Sequence, residues 1–322
     1  MTAPAVSVVI PTFERCSSVR RALDALTRQT LPFETYEVLI SIDGSEDGTR
    51  EMVARQRVPF SLRSVCRANR GRAAARNAGA QEARGALLVF LDDDMEASPG
   101  LLAAHVEAQR SRQEALGVAV VGAAPIVTRS SSPLTDYLAR GFEERLRVLA
   151  QPGRAVRFNE AYTGNLSVRR STLLQIGGFD ETFRLYGHED YEFALRLVHA
   201  GVPLVFSPAA VALQHQEKEF PAVARDATAR GRTAVLFARK HPEVVDSLKL
   251  GAFNAGTRKW RLLRGVLLGL TRLSGSVPDA VIRLMAGLEQ RRPPRLDRYY
   301  AMALDYFYWV GARTEQRESG SA

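Results

Sequence analysis

The sequence predicts an α/β fold: βαβ units around a parallel sheet covered on both faces, followed by a C-terminal helical extension. Three observations predict it. Short apolar runs alternate with segments of helical periodicity through the first two thirds of the chain. Those runs are continuously apolar, as strands covered on both faces are. Beyond Phe220 the strand signals stop and only helical patterns remain. The expected domains are residues 1–220 and a basic helical extension over residues 221–322.

The elements follow in order. "VSVVIPTF" (6–13) reads as a buried strand, and "SSVRRALDALTRQ" (17–29) as a helix with Val19, Leu23 and Leu26 at helical spacing. "YEVLISIDG" (36–44) is a second strand, after which Asp47 caps a helix reaching about Gln56. "SLRSVCR" (61–67), the Ala-rich "GRAAARNAGAQEAR" (71–84) and "ALLVFLDDD" (86–94) give strand, helix and strand. A helix follows over 98–110 with Pro99 near its first turn, then a strand over 118–127. Residues 132–150 read as helical and 162–170 as a strand running into a helix start. Residues 187–201 form a helix stopped by Gly201, and 202–215 two short strands broken by Pro208. The remainder is helical, with breaks near Pro242, Pro278 and "RRPPR" (291–295).

At 322 residues, 46% hydrophobic and 25% charged, the chain can build its core without disulfides or structural zinc. Cys16 and Cys66 form no metal-type cluster and read as free thiols of a reducing cytoplasm. The N-terminus lacks a secretory signal, and no apolar run reaches the ~20 residues of a membrane span. The charge is uneven. Residues 221–322 carry 18 basic and 9 acidic side chains, so the whole net charge of +9 lies there. Such an asymmetry points to an anionic surface or to a solvated basic face. Within it, residues 258–273 form a basic amphipathic pattern. Trp260, Leu262, Leu263, Val266, Leu267, Leu270 and Leu273 fall on one side, and Arg258, Arg261, Arg264 and Arg272 on the other. The apolar side either docks on the domain or meets a membrane. The aromatic cluster 299–309 lacks interleaved basic residues and reads as helix packing, so nucleic acid is not an expected partner.

Ligands of open α/β sheets bind beyond the carboxyl ends of the strands. That rule gathers "PTFER", "IDGSED" and "DDDM" in one crevice. Asp92, Asp93 and Asp94 then stand side by side after the most apolar strand, where a divalent cation would relieve their repulsion. In an extended segment Asp92 and Asp94 would share one side and Asp93 the other. Asp43 can accept from a ribose hydroxyl or a base N–H, and Arg70, Arg72 and Arg76 surround a helix start suited to phosphate. Neither a GxGxxG loop nor a P-loop is present. Glu189 and Asp190 open a helix after a Gly- and aromatic-rich loop, as dipole-matched acids or as a functional pair. His215, closing an apolar run, gains interest only beside a metal.

The order of these segments resembles the family 2 glycosyltransferases with the GT-A fold. "VSVVIPTFER" is similar to their opening strand, "SIDGSEDGT" to their VDDGSxDGT, "NRGRAAARNAG" to their NxGxxxARNxG and "FLDDDM" to their DxD-type metal motif. "TGNLSVRRSTLLQIGGFDETF" with "GHEDYEFALRL" resembles their acceptor-side segment, and His215 a histidine often found there. The likeness covers about residues 5–216, makes 1–220 the expected catalytic domain, and implies a GT-A-type Rossmann-like sandwich around a mixed, mainly parallel central sheet. It implies that Pro11, Thr12 and Glu14 line a nucleotide pocket, that Asp43 and Arg76 contact the nucleotide, and that Asp93 holds the ribose side. It implies a Mg²⁺ or Mn²⁺ site from Asp92 and Asp94, with Asp94 the direct ligand and His215 nearby. It makes Asp190 the catalytic base with Glu189 beside it, and gives Gly164 and Asn165 to the sugar and acceptor pocket.

Ile42 replaces the first Asp of the family's DDGS, which puts base or ribose contacts in doubt. The QxxRW motif of processive synthases is absent, which implies single-sugar transfer. The expected function is inverting, metal-dependent transfer from a nucleotide-diphosphate sugar, UDP-linked by preference. The acceptor would be a carbohydrate or lipid-linked hydroxyl in cell-surface polysaccharide or glycolipid synthesis. The expected location is cytoplasmic, peripheral on the inner face of the plasma membrane. The alternative is a membrane-associated nucleotide-sugar-binding scaffold with a degenerate site. A nucleotidyltransferase would need a Gly-rich loop after the first strand, which "PTFER" is not.

Overall fold

The computed structural model describes residues 3–111, 114–127 and 132–320; residues 1 and 2 of the expected N-terminal tail lie outside them. Strands β1 (Val6–Thr12), β2 (Tyr36–Asp43), β3 (Ser61–Arg67) and β4 (Leu87–Leu91) alternate with helices α1 (Cys16–Leu26), α2 (Thr49–Arg55) and α3 (Arg72–Glu82). There follow β5 (Met95–Ala97), α4 (Leu101–Arg110), β6 (Ala119–Ala123), β7 (Ile126–Val127) and α5 (Pro133–Leu149). Then come β8 (Asn165–Arg169), α6 (Arg170–Gln175), α7 (Glu189–His199) and β9 (Leu204–His215). The C-terminal helices are α8 (Phe220–Lys240), α9 (Arg258–Leu273), α10 (Val277–Arg291) and α11 (Leu296–Gly320).

The sheet runs β3-β2-β1-β4-β8-β6-β9-β5, with β7 beside β9. Strands β1 to β4 pair in parallel, as do β6 and β9, whereas β8 pairs antiparallel to both β4 and β6. It is the mixed, mainly parallel sheet expected. Strands β1, β2 and β4 are buried along their whole length because both faces are covered, whereas the edge strand β3 is largely exposed. Val8, Ile10, Val38, Ile40, Val89 and Leu91 pack on one side with α1 and α4. Val9, Leu39, Leu88 and Phe90 pack on the other with α3 and α7. Burying one such side chain fully is worth about 1.5–3 kcal/mol over leaving it in water.

Pro208 does not break the last strand. Strand β9 is continuous through it, and the register against β6 jumps from Ser207 to Val211, a bulge that takes Pro208 out of the ladder. The buried Asn165 Nδ2 donates to the carbonyls of Ala123 (3.0 Å) and Ala210 (2.9 Å) at this irregularity. Its Oδ1 accepts from His105 Nε2 at 2.9 Å, and His105 Nδ1 accepts from Ser167 Oγ at 3.0 Å. Asn165, which the resemblance gave to the sugar and acceptor pocket, is here a strap across the sheet.

Burial holds the His105 pKa down at about 4, from an ordinary 6.5, against the Asn165 hydrogen bond. The folded state thus binds fewer protons than the unfolded chain between those values. The stability this contributes is complete above pH 6.5 and is lost as pH falls through about 4. Urea unfolding of the wild type and of His105→Gln at pH 7.5 and pH 4 should show the wild type losing about 3 kcal/mol more of its stability.

The chain separates into two compact units. The first holds 3–127, 141–184 and 189–216, and the second holds 132–140, 185–188 and 217 onward. The second unit thus takes in the start of α5 and the short 185–188 segment together with the C-terminal helices. Within the second unit, α8 and α11 approach backbone to backbone at Gly231 and Gly311, where an added Cβ would strike Tyr308 and Thr228 respectively. A core of Phe220, Tyr300, Tyr306, Phe307 and Trp309 closes around that crossing. The aromatic cluster is thus helix packing, as expected.

Candidate active site

The three strand-end segments do meet. Asp47 Oδ2 accepts the Cys16 N–H at 2.8 Å and so caps α1, while its other oxygen accepts from Thr49 at the start of α2. Glu14, with φ of 53°, donates its N–H to Ser45 Oγ (2.9 Å) and accepts the Glu46 N–H on Oε1 (2.6 Å). Glu14 therefore ties the β1–α1 loop to the β2–α2 loop. Asp43 does the same for the next connection: its two oxygens accept the N–H groups of Arg70 and Gly71, each at 2.9 Å. Asp43, the expected base or ribose contact, is buried and shapes this loop through those two bonds.

The acidic run divides differently from the extended-segment expectation. Strand β4 ends at Leu91, and a turn closed by Met95 N–H to the Asp92 carbonyl (3.1 Å) follows. Asp93 and Asp94 both turn to Arg15, at 3.3 and 3.4 Å, and Asp93 accepts from Thr12 Oγ1 at 2.8 Å. Asp92 faces the other way, onto Arg76 Nη2 at 2.9 Å. Gly164 borders it: its carbonyl accepts the Asp92 N–H, and a Cβ there would sit 2.9 Å from Asp92 Oδ2.

Arg76 is the centre of the arrangement. Its side chain is 1% exposed, and its second amino nitrogen reaches Asp190 Oδ1 at 3.3 Å and Glu189 Oε1 at 3.4 Å. The guanidinium lies 5.5 Å from the Phe179 ring, which itself stacks on Phe193. Arg76 was expected to contact the nucleotide. In the structure it joins the acidic run to the acid pair on the first turn of α7. Thr163, buried, adds a hydroxyl donated to Asp190 Oδ1. Sequence reasoning missed Arg15 and Thr163. Arg15 stood in the quoted "PTFER" next to the acidic run, but a lone threonine beside a glycine carries no such signal.

Electrostatics separate the five acids. Burial works to raise the Asp92 carboxyl, but the Arg76 and Arg72 guanidiniums outweigh it and hold it below the usual range. Burial pushes Asp93 up to about 6, with Asp94 and Asp92 adding to the rise against Arg15 and Thr12. Burial and the neighbouring Asp190 charge raise Glu189 despite Arg76. Asp190, on the same helical turn, keeps its side chain 24% exposed. One acid of the pair is sunk and the other faces solvent.

The expected trio of Asp92, Asp94 and His215 does not assemble. Among the described residues no group of three or more His, Cys, Asp or Glu side chains is placed to hold a metal. Asp92 is turned to Arg76, and His215 Nε2 lies 2.8 Å from Glu96 Oε2 while its backbone N–H pairs with the Asp94 carbonyl. The remaining chemistry still suits a hard cation. The carboxylates of Asp92, Asp93, Asp94, Glu189 and Asp190 outnumber the guanidiniums of Arg15, Arg72 and Arg76 among them. Mg²⁺ and Mn²⁺ need only one or two carboxylates when phosphate oxygens and water complete the shell.

Comparison with known proteins gives a consistent result. The model of the family described as "Glycosyl transferase family 2" matches residues 7–164, and that described as "N-terminal domain of galactosyltransferase" matches residues 143–217. A relative from Streptomyces hygroscopicus subsp. limoneus, named validoxylamine A glucosyltransferase, is 31% identical over 99% of this chain and 79% of its own length. A protein of the same name from S. hygroscopicus subsp. jinggangensis is 31% identical over 79% of this chain, which spans 65% of that relative. Among solved structures, the mannosyltransferase PcManGT from Pyrobaculum calidifontis, in complex with GDP-Man and Mn²⁺, superposes with a TM-score of 0.67. Its identity is 21%, covering 99% of this chain and 88% of that one. This likeness is one of fold, the GT-A-type sheet with its C-terminal helices.

Proposed function

The chain belongs to the family 2 glycosyltransferases, and from that premise we propose that it is an inverting enzyme that moves one sugar from a nucleotide-diphosphate donor, UDP-linked by preference, to a hydroxyl of a carbohydrate or lipid-linked acceptor. The observation that carries the reading is Asp190: a carboxylate oriented by Arg76 and Thr163 yet open to solvent, one residue from a buried acid and linked through Arg76 to the acidic run.

In this reading Asp190 removes the proton from the acceptor hydroxyl as its oxygen attacks the anomeric carbon. The bond from that carbon to the diphosphate oxygen breaks, the nucleoside diphosphate leaves with the electron pair, and configuration inverts. Thr163 and Arg76 fix the carboxylate that accepts the proton. The end of β1, Pro11 and Thr12, and Glu14 in the loop that follows form the nucleotide side together with Asp93. Gly164 keeps space beside Asp92, where a side chain would press on the carboxylate. A Mg²⁺ or Mn²⁺ ion, held by Asp94, would offset the negative charge gathering on the departing diphosphate. The Mn²⁺ in the PcManGT complex supports a divalent ion here, and the excess of carboxylates supplies its local motive. No specific observation favours a degenerate scaffold.

A thermal-shift panel of UDP- and GDP-sugars tests donor and ion together. The right donor with Mn²⁺ should stabilise the chain by about 2.7 kcal/mol at a hundred times its Kd. Chelator, or Asp94→Ala, should remove most of that gain. A donor shift indifferent to both would exclude the ion from Asp94.

A further inference from the structure

We propose that α9 is a membrane-surface helix that lays an outward apolar stripe into the headgroup region of an anionic lipid bilayer. Its sequence left two readings open, docking through the apolar side or meeting a membrane with it. The packing separates them. The helix docks through Trp260, Arg264, Leu268 and Thr271, a face that takes in only one edge of the apolar side its hydrophobic pattern suggests. Arg264, expected on the polar side, is buried, pairs with Asp305 at 2.7 Å and lies 4.7 Å from the Phe253 ring. Trp260 Nε1 donates to the same carboxylate at 2.9 Å, and Thr271 Oγ1 lies 2.6 Å from the Tyr306 hydroxyl. Asp305 sits within the aromatic core of α11, and Arg264 and Lys249 hold its carboxyl below its ordinary range although burial opposes them.

With that face committed, the leucines turn outward. Leu262 is 72% exposed, Leu273 84% and Val266 50%, with Leu263 and Leu270 also exposed. At 100° per residue these five occupy an arc of roughly 100°, a contiguous stripe along the helix. Arg258, Arg261 and Arg272, all exposed, line the adjoining arc. Thus α9 has three sectors: anchored, basic and apolar.

The charge decides the occupant. Helix α9 carries Arg258, Lys259, Arg261, Arg264 and Arg272 and no acidic residue, within a segment that holds the entire net charge of +9. A second copy docking stripe to stripe would bring two rows of arginine together. An anionic bilayer offers apolar chains to the leucines and phosphate to the arginines at once. At 16 residues α9 is too short to span a bilayer, and among the described residues no helix is long and apolar enough to cross one.

The test is sedimentation of the full chain with vesicles of phosphatidylcholine alone or mixed with phosphatidylglycerol. Binding is expected on the mixed vesicles at low salt, with release at high salt. Leu262→Gln combined with Leu273→Gln should lower partitioning about tenfold, because two of the most exposed apolar groups leave the stripe. The melting temperature should not move. Arg261→Glu with Arg272→Glu should abolish the preference for phosphatidylglycerol. Absence of binding to the mixed vesicles, or wild-type partitioning of the leucine variant, overturns the proposal. So does a concentration-dependent dimer that the leucine variant dissolves, which would give the stripe to a second copy. Sugar transfer to water, measured in parallel without vesicles, reports on the catalytic site alone, so the two readings fail separately.

Discussion

Asp190→Asn should lower the rate of sugar transfer by about 10²–10⁴-fold, the range that a positioned general base supplies. Asparagine has the same shape and can still accept the Thr163 hydrogen bond, so the local geometry persists. What it cannot do is take a proton. Donor stabilisation by Mn²⁺ and nucleotide sugar should stay within a few-fold of wild type, because the nucleotide side is built from other loops. Single-turnover transfer measured beside donor binding checks both halves. Glu189→Gln makes the contrast. Burial and the Asp190 charge already push Glu189 toward its neutral form, so the amide costs less activity than the loss of the partly exposed acid.

The second large effect is expected on stability. Arg76→Met removes the cation shared by Asp92, Glu189 and Asp190 while keeping much of the side chain's length. Breaking a buried ion network by deleting one partner typically costs 3–5 kcal/mol, because the charges left behind lose both their counter-ion and their water. In a chain of this size about 2–4 °C of melting temperature goes with each kcal/mol. A drop of about ten degrees is therefore expected by differential scanning fluorimetry. Arg76→Lys keeps the charge but offers one nitrogen where the guanidinium forks to opposite sides. It should recover part of the stability and little of the activity. A melting temperature unchanged in Arg76→Met would mean that the network carries no net weight.

Much of this was legible in the chain. Continuous apolar runs marked the central strands of a sheet covered on both faces, and the tendency of ligands to bind beyond strand ends brought the three polar loops together. The acid pair at the start of α7 was also visible as a pair. What could not be read was direction. Helical or strand periodicity says which residues share a face, but not which partner a long side chain will reach. Arg76 carried a phosphate-binding signature and turned inward to three carboxylates. Asn165 lay in a motif associated with the acceptor and turned to bridge a bulge that Pro208 makes necessary. Arg264 was assigned to the wet side of α9 and became its buried anchor, because Asp305, 41 residues away, was waiting for it. Each of these depends on a contact distant in sequence. Asp94 and His215 differ in kind. Their backbones do pair, so the sequence placed them side by side correctly, yet the imidazole turns to Glu96.

The most direct test of Asp190 as the base of an inverting transfer needs no knowledge of the acceptor. Donors that bind can be hydrolysed slowly with water in the acceptor's place, and proton NMR reads the anomer first released. From an α-linked nucleotide sugar with Mn²⁺, the β-anomer should appear first, with the α-anomer growing in by mutarotation, and Asp190→Asn should suppress the release. Initial release of the α-anomer, or undiminished release by Asp190→Asn, would contradict the account.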